Sequence, residues 1–243
     1  MMWTIAAISA PALFWLSKCL LPGNSLAALK KQCLAFLLGL IVAGAISPPL
    51  LAAQQKPFDF YVLSLSWSPE FCQNHPKERQ CGRGYGVVLH GVWPQFKVGY
   101  PESCSGAKMP AKIVREFAGL YPNEKLAFHE WQKHGTCSGL APRDYMQFSQ
   151  QLKQGFTEPA ALKNLSKPLR ISAAQLNQEI VNANPVLNNQ AVSFSCTGGG
   201  RFLQEIYLCL DKSGTQPVAC GTDMQQRSRR SCGQKDFLIR NIR

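Results

Sequence analysis

The sequence predicts an α+β domain in which helices pack against an antiparallel sheet, and three observations support this fold class. Segments with the composition or alternation of β-strands lie at both ends of the region after residue 53, whereas the segments between them have helical spacing. Strands grouped apart from helices are typical of α+β domains. The same region contains an even number of cysteines, which predicts a domain stapled by disulfides.

Five segments predict strands because they are rich in β-branched and aromatic residues or alternate between apolar and polar residues. The second of them is predicted to be a central strand that presents His90 at its end, after which Gly91 and Pro94 turn the chain. The last is expected at an edge of the sheet. The five predicted strands are 58–67, 85–90, 191–196, 202–210 and 237–242.

Four segments with apolar residues at helical spacing predict helices. The last has the clearest boundaries, because Ser172 can cap it, Gln175 completes a capping box and Pro185 stops it. The four predicted helices are 109–121, 128–137, 144–156 and 172–184.

The first 53 residues have the features of a secretory signal peptide. They contain no acidic residue, and Lys30 and Lys31 precede an apolar run at 33–46 that small residues follow. This run is shorter than the roughly 20 residues that a bilayer span needs. We therefore expect cleavage near Ala53, a single domain at 54–243, and a monomer that is exported to the periplasm or secreted without stable membrane association. A retained membrane anchor is the alternative.

The charge of the chain indicates the class of its partners. With 26 Lys+Arg against 14 Asp+Glu, the formal net charge is +12. A basic surface attracts polyanions such as nucleic acid, heparin-like glycans or anionic lipid. Charge alone does not separate these partners from a merely basic exported protein.

The cysteines after residue 53 predict four disulfides, but their number alone does not fix the pairing. No Cys-x-x-Cys spacing occurs, so a structural zinc site is not predicted. The eight cysteines are Cys72, Cys81, Cys104, Cys137, Cys196, Cys209, Cys220 and Cys232.

Three of the four histidines lie in two short segments, Leu89–Pro94 and Phe128–Cys137. If the second segment is a helix, Glu130, Lys133 and His134 share a face, because residues three and four apart are neighbours there. A metal site is disfavoured, since two histidines five residues apart on a helix point about 140° apart. A nucleophilic cysteine is also disfavoured, because the cysteine of this segment is expected in a disulfide.

Two imidazoles beside a lysine suit the cleavage of an RNA phosphodiester. RNA carries its own nucleophile, the 2′-hydroxyl, so the enzyme has to remove that proton, protonate the leaving 5′-oxygen and neutralise charge on the phosphate. Imidazoles have pKa values suited to the two proton transfers, and an ammonium group suits the charge. No metal or cofactor is needed for this chemistry.

The two histidine segments, Leu89–Pro94 and His129–Cys137, resemble the active-site signatures of the ribonuclease T2 family, which includes the plant S-ribonucleases. The segment Tyr61–Cys72 resembles the first strand of that family. The segment Ser195–Tyr207 resembles the bacterial, periplasmic branch of the family. The resemblance implies a ribonuclease T2-like fold and metal-independent endonucleolytic cleavage of single-stranded RNA with low base specificity. It also implies a 2′,3′-cyclic phosphate as the first product and a 3′-phosphate as the second.

The resemblance also implies roles for individual residues. His90 and His134 match the acid–base pair, with His134 taken as the base, and Glu130 and Lys133 match the groups that stabilise the transition state. The remaining implications concern substrate contacts and disulfides: His129 binds the phosphate, Trp93 stacks on a base, and the pairs are Cys72–Cys81, Cys104–Cys137, Cys196–Cys232 and Cys209–Cys220.

Two alternatives remain open at this point. Trp93 is either a stacking platform or core filler, and the basic cluster 227–230 either guides RNA or is a solvated turn. The other class of function is a basic exported protein that binds RNA or other polyanions without cutting them. Cleavage of RNA by the protein would exclude this alternative.

Overall fold

The computed structural model describes residues 58–243, so the predicted signal peptide and its cleavage site lie outside the described residues. Within that range, six strands form one sheet in the order β2–β1–β5–β6–β3, and β4 also pairs with β5. All pairings are antiparallel except the short parallel contact between β5 and β6. The strands are β1 Phe60–Trp67, β2 Val87–Gln95, β3 Leu169–Ile171, β4 Val192–Thr197, β5 Phe202–Leu210 and β6 Phe237–Ile239.

The α+β fold is confirmed, and the four predicted helices correspond to the second to fifth of the six α-helices in residues 58–243. Two short 3-10 turns, Gly135–Cys137 and Asn189–Ala191, supplement the helices. The α-helices are α1 Ser68–Asn74, α2 Ala111–Glu116, α3 Glu124–Lys133, α4 Pro142–Gly155, α5 Ala173–Ala183 and α6 Thr222–Ser231. None of the helices in residues 58–243 has both the length and the apolar character to cross a bilayer.

Two predictions about the strands are wrong. The segment with His90 is not central, and the chain does not turn at Gly91 or Pro94, because β2 continues to Gln95 at the edge of the sheet. An edge strand tolerates a proline because the missing N–H faces away from the ladder. The last strand, β6, is not at an edge, since it lies between β5 and the three-residue β3, which is too short for periodicity to reveal.

Strand β1 is buried along its whole length and therefore packs against the core on both faces of the sheet. Leu63, Leu65 and Trp67 point into the main core under the helices, whereas Phe60 and Val62 point into a second cluster on the opposite face. This alternation follows from the two-residue period of a strand. The second cluster includes Met224 of α6, a helix that the sequence analysis did not predict.

The capping of α5 and the four disulfides agree with the predictions, whereas α2 ends five residues before the predicted end and α3 begins and ends four residues earlier than predicted. Ser172 caps α5 in a complete capping box with Gln175. Each disulfide has the geometry of an ordinary bridge, with Cα atoms 5.0–5.5 Å apart. The pairs are those that the family resemblance implies, namely Cys72–Cys81, Cys104–Cys137, Cys196–Cys232 and Cys209–Cys220.

Candidate active site

His90 lies at a β-bulge in β2. Gly91 pairs with Ser64 and Leu89 pairs with Leu65, so His90 is an extra residue without a partner in β1. A bulge bends a strand and redirects the side chain of the extra residue. The local geometry therefore places the imidazole on the face of the sheet away from the main core while Leu89 remains buried in it.

A buried carboxylate from β5 holds the His90 ring. Its Nδ1 lies 2.9 Å from Oε1 of Glu205. The carboxylate of Glu205 also accepts hydrogen bonds from the hydroxyls of Ser64 and Ser66, at 2.6 and 2.7 Å. These serines occupy the positions of β1 that alternate with Leu63 and Leu65, so one face of the strand builds the core and the other builds the site.

This arrangement favours the protonated form of His90. Burial alone would lower its pKa, but the hydrogen bond to Glu205 and the charges of Glu205 and Glu130 raise the pKa above its usual value. Burial would conversely raise the pKa of Glu205, but His90 and the two serine hydroxyls hold that pKa below its usual value. Between the lowered pKa of Glu205 and the raised pKa of His90, the pair is an imidazolium beside a carboxylate.

Helix α3 supplies the second carboxylate of the site. Asn123 caps the helix by accepting a hydrogen bond from the Leu126 N–H at 2.8 Å. One turn further along, Glu130 is 1% exposed, and burial raises its pKa to about 7 although nearby cationic groups oppose that shift. Its Oε2 accepts a hydrogen bond from Nε1 of Trp93 at 2.7 Å, and its Oε1 lies 3.6 Å from Nε2 of His90.

The glycine of the first histidine segment makes this contact possible. A Cβ on Gly91 would lie 2.0 Å from Oε2 of Glu130 and 2.4 Å from Nε1 of Trp93. Any larger side chain would therefore displace the hydrogen bond that joins the two segments. Tyr145 of α4 fixes the same strand from the other side, since its hydroxyl donates to the Val92 carbonyl at 2.9 Å.

His134 follows the last residue of α3 and has a different environment. Its ring is 5% exposed and stacks on Trp93 with the ring centroids 5.0 Å apart. Burial, together with the positive charges of Lys133, His90 and His129, lowers its pKa to about 3. Its Nδ1 is buried and has no hydrogen-bond partner within the described part of the chain, which further disfavours an imidazolium with two N–H donors.

A disulfide and a glycine hold the end of α3 beside this ring. Cys137 is bridged to Cys104, and the loop carrying Cys104 is also joined to the helix by the Ser103 N–H, which donates to the Lys133 carbonyl at 2.8 Å. A Cβ on Gly135 would lie 2.5 Å from the Trp131 ring, so the chain can turn tightly there only without a side chain.

The other two predicted residues of α3 face solvent. His129 is exposed, and Lys133 is about one-third exposed with its Nζ 4.0 Å from Oε2 of Glu102. The Lys133 ammonium also lies 5.9 Å from the centre of the Tyr100 ring. Both side chains are therefore accessible to an incoming anion.

The structure brings all six predicted site residues into one cleft of about 700 Å³. This volume lies within the range of roughly 300–1,000 Å³ typical of sites for small ligands. No group of three or more His, Cys, Asp or Glu side chains in residues 58–243 is arranged to hold a metal ion. The six residues that line the cleft are His90, Trp93, His129, Glu130, Lys133 and His134.

Several other residues in or beside the cleft have no role predicted from the sequence. The most important is Glu205, which contacts His90 without lining the cleft. Its signal in the sequence is an acidic residue within an otherwise alternating strand, where acidic residues are depleted. Tyr207 lies two residues further along β5, with its ring centroid 5.9 Å from that of Trp93. Gln95 and Tyr100 also line the cleft without a predicted role, and so do Arg227 and Arg230 of the basic cluster whose role the sequence left open.

Comparison with known proteins identifies the family. The sequence model of the Ribonuclease T2 family matches residues 58–220. A ribonuclease of Aeromonas hydrophila is 42% identical over 213 residues, which are 85% of this chain and 97% of that protein. Ribonuclease I of Escherichia coli is 25% identical and covers 78% of this chain and 89% of its own length.

Solved structures show the same fold. Ribonuclease MC1 from the seeds of bitter gourd has a TM-score of 0.59 to this chain at 19% identity, covering 74% of this chain and 99% of its own. Since the family match spans most of the described residues and includes both histidine segments, this chain belongs to the ribonuclease T2 family and is an endoribonuclease.

Proposed function

We propose that this enzyme cleaves single-stranded RNA with low base specificity and without a metal ion, through a 2′,3′-cyclic phosphate to 3′-phosphate ends. The observation that carries the proposal is the contrast between two histidines in one cleft. The pKa of His90 is raised, whereas the pKa of His134 is lowered to about 3. At mildly acidic pH the first is a ready proton donor and the second has a free lone pair.

These protonation states assign the two proton transfers. Neutral His134 removes the proton of the 2′-hydroxyl, and the oxygen then attacks the neighbouring phosphorus. Protonated His90 donates to the 5′-oxygen as its bond to phosphorus breaks. An anionic phosphate in the cleft opposes the three positive charges that depress the pKa of His134, so the ring becomes more basic once substrate is bound. Water then opens the cyclic phosphate with the two roles reversed.

The remaining residues of α3 act on the phosphate. Exposed His129 and Lys133 are placed to bind its oxygens, and the ammonium neutralises charge that develops in the transition state. With a pKa of about 7, Glu130 keeps a proton at acidic pH and can donate a hydrogen bond to a nonbridging oxygen. Its other oxygen remains an acceptor for Trp93.

Trp93 and Glu205 support this chemistry in different ways. The Trp93 indole lies against both catalytic rings, with centroid distances of 5.2 Å to His90 and 5.0 Å to His134, so it positions them and offers its remaining surface to a base. Stacking on an aromatic ring is sequence-tolerant, which fits low base specificity. Glu205 is a positioning residue that fixes the orientation and the charge of His90.

RNA as the substrate is supported by relatives whose structures contain nucleotides. Structures of ribonuclease MC1 mutants contain 5′-UMP or 5′-GMP. The formal charge of +12, to which residues 1–53 contribute only three lysines, favours the approach of a polyanion. Four disulfides favour an oxidising compartment, so we extend the proposal to a monomer that is exported to the periplasm or secreted after residues 1–53 are removed.

Digestion of RNA in excess EDTA, followed by analysis of the product ends, tests the proposed reaction. We expect full activity, early accumulation of 2′,3′-cyclic ends and later conversion to 3′-phosphates. Cleavage that requires added metal, or products with 5′-phosphates, would overturn the mechanism. Tight binding of RNA without turnover would instead support a binding protein.

A further inference from the structure

One wall of the catalytic cleft lies outside the region that the family model matches. That match ends at residue 220, whereas α6 spans Thr222–Ser231. Two arginines of this helix, Arg227 and Arg230, line the cleft that contains the catalytic histidines. A third, Arg229, faces a different depression between α5, α6 and β4.

The helix is held firmly against the sheet, so the two arginines extend from a fixed backbone. The Ser228 hydroxyl accepts a hydrogen bond from the Phe194 N–H at 3.1 Å, and the Ser231 hydroxyl accepts one from the Cys196 N–H at 3.4 Å. The next residue, Cys232, is bridged to Cys196. Anchoring both ends of this turn to β4 lowers the conformational entropy that ligand binding would otherwise cost.

The charges of these two arginines are largely available to a ligand. Arg227 is half-exposed and lies 3.3 Å from Asp223 of the same helix, a weak surface pair. Arg230 is exposed and makes no ion pair with any residue of the described range 58–243. Guanidinium groups suit phosphate because their planar N–H donors match two of its oxygens at once.

Aromatic contacts connect this wall to the catalytic residues. Tyr207 and Arg227 line the same cleft. Burial raises the pKa of the Tyr207 hydroxyl, and the charge of Arg227 opposes that shift. The Tyr207 ring in turn contacts Trp93, which contacts both catalytic histidines. The arginines thus enter the cleft from α6, which is anchored on β4. Helix α3 instead contacts β2 through Glu130 and Trp93, and β1 and β5 lie between β2 and β4.

We infer that Arg227 and Arg230 form a second phosphate-binding site, which holds a phosphate of the RNA strand next to the one that is cleaved. The inference rests on the proposed function, because it places the scissile phosphate among His90, His129, Lys133 and His134. The ligand is an additional phosphodiester of the same single strand, and the α6 site contributes to affinity and not to the chemical step.

This assignment separates short substrates from long ones. A dinucleoside monophosphate has only the scissile phosphate, so it cannot occupy the α6 site. A longer strand occupies both sites, and the arginine contacts are equal in the bound substrate and the transition state. Such uniform binding lowers KM and leaves kcat unchanged.

The test compares Arg230→Ala and the double variant Arg227→Ala/Arg230→Ala with Arg229→Ala, which removes the same charge from the same helix but faces away from the cleft. The long substrate is a DNA strand with one internal ribonucleotide, which has a single cleavable bond and phosphates on both sides of it. The short substrate is the matching dinucleoside monophosphate. Steady-state kinetics and the salt dependence of kcat/KM are measured for both substrates.

For the double variant we expect KM for the long strand to rise about tenfold or more, with kcat unchanged, because two charge-assisted contacts are lost. The slope of log kcat/KM against log salt concentration should become shallower by about 0.7 for each lost phosphate contact on a single strand. Activity on the dinucleotide should not change, and Arg229→Ala should resemble wild type on both substrates.

An equal effect of Arg229→Ala on the long strand would overturn the α6 site in favour of general surface charge. An equal loss on the dinucleotide would also overturn it, since that result would place the arginines at the scissile phosphate. If wild-type enzyme fails to cut either substrate in EDTA, the proposed function itself fails, so the two failures are distinguishable. Arg227→Lys/Arg230→Lys should recover part of the affinity, because lysine keeps the charge but loses the paired donors.

Discussion

His90 and His134 are two imidazoles in one cleft with opposite electrostatic environments. His90 extends from a bulged edge strand and contacts the carboxylates of Glu205 and Glu130. His134 ends a helix, contacts the Trp93 ring and is surrounded by cationic groups. Burial lowers the pKa of both rings, yet only His134 ends below its usual value, since the carboxylates outweigh burial at His90. In the proposed mechanism, the sign of nearby charge therefore determines which ring donates and which accepts a proton.

The largest expected effect comes from removing either ring. His90→Ala and His134→Ala should each lower kcat by roughly 10²–10⁴-fold, the range for a general acid or base. The double variant should be little worse than the weaker single variant, because the two groups act in one concerted process. RNA cleavage assays measure this effect, and His75→Ala is the control, since His75 is the exposed residue that caps the end of α1. Near-normal activity of either single variant would refute the acid–base pair.

The hydrogen bond between Trp93 and Glu130, which joins the two histidine segments, provides the next test. Gly91→Ala would place a Cβ against the hydrogen bond between Glu130 and Trp93, so both rings that Trp93 contacts should shift. A displacement of about 1 Å in an active site can cost about 10²-fold, and we expect a loss of that order in kcat. Gly155→Ala is the matched control, because a Cβ there meets nothing within 4 Å. Equal activities of the two variants would show that the contact is unimportant for catalysis.

The pH profile tests the opposite pKa shifts directly. The proposed mechanism requires neutral His134 and protonated His90, so kcat/KM should fall below about pH 3, where His134 gains a proton. It should also fall above the raised pKa of His90, where that ring loses its proton. The enzyme should therefore work best in acid.

Glu205→Gln should move only the alkaline limb of that profile. Removing the carboxylate removes the main influence that raises the pKa of His90, so the limb should move to lower pH and the rate at neutral pH should fall about tenfold. Glu70→Gln removes another buried carboxylate, one that pairs with Arg240, and should lower stability without moving the limb. An unchanged limb in Glu205→Gln would mean that Glu205 is only structural.

The smallest effect on rate is expected from opening a disulfide beside His134. Replacing Cys104 and Cys137 with serine releases the end of α3, which partly exposes the His134 ring and raises its depressed pKa. The acidic limb should then move to higher pH, while the loss of a bridge that spans 33 residues should cost about 3–4 kcal/mol of unfolding free energy. Thermal denaturation and pH profiles measure the two effects. The same change at Cys72 and Cys81, neither of which lines the cleft, should leave the acidic limb in place.

Much of the fold could be predicted because its signals are local. The capping box at Ser172 and the alternation of 202–210 both reappear in the structure with the predicted bounds or within one residue of them. The missed elements have weak or misleading local signals. β3 has only three residues, and α6 is polar enough to be interpreted as a solvated turn, although Met224 anchors it in a second cluster.

The candidate site likewise has one part that local sequence predicts and another part that depends on tertiary structure. His129, Glu130, Lys133 and His134 are grouped by helical spacing, so sequence alone brings them together. Glu205 is 115 residues away from His90, and their contact depends on β1 lying between β2 and β5. The order and register of strands depend on tertiary structure. The bulge that directs the His90 side chain is likewise recognised only from the pairing of β2 with β1.

The bulged edge of β2 has a second consequence, which concerns solubility. An open strand at the border of a sheet presents unpaired backbone groups that can recruit a strand from another molecule. Here Pro94 lacks the N–H that an incoming strand would need as a donor. The bulge at His90 breaks the even spacing of backbone groups along β2, and the Tyr145 hydroxyl already donates to the Val92 carbonyl. The feature that directs a reactive side chain thus also protects the molecule against intermolecular β-pairing and aggregation.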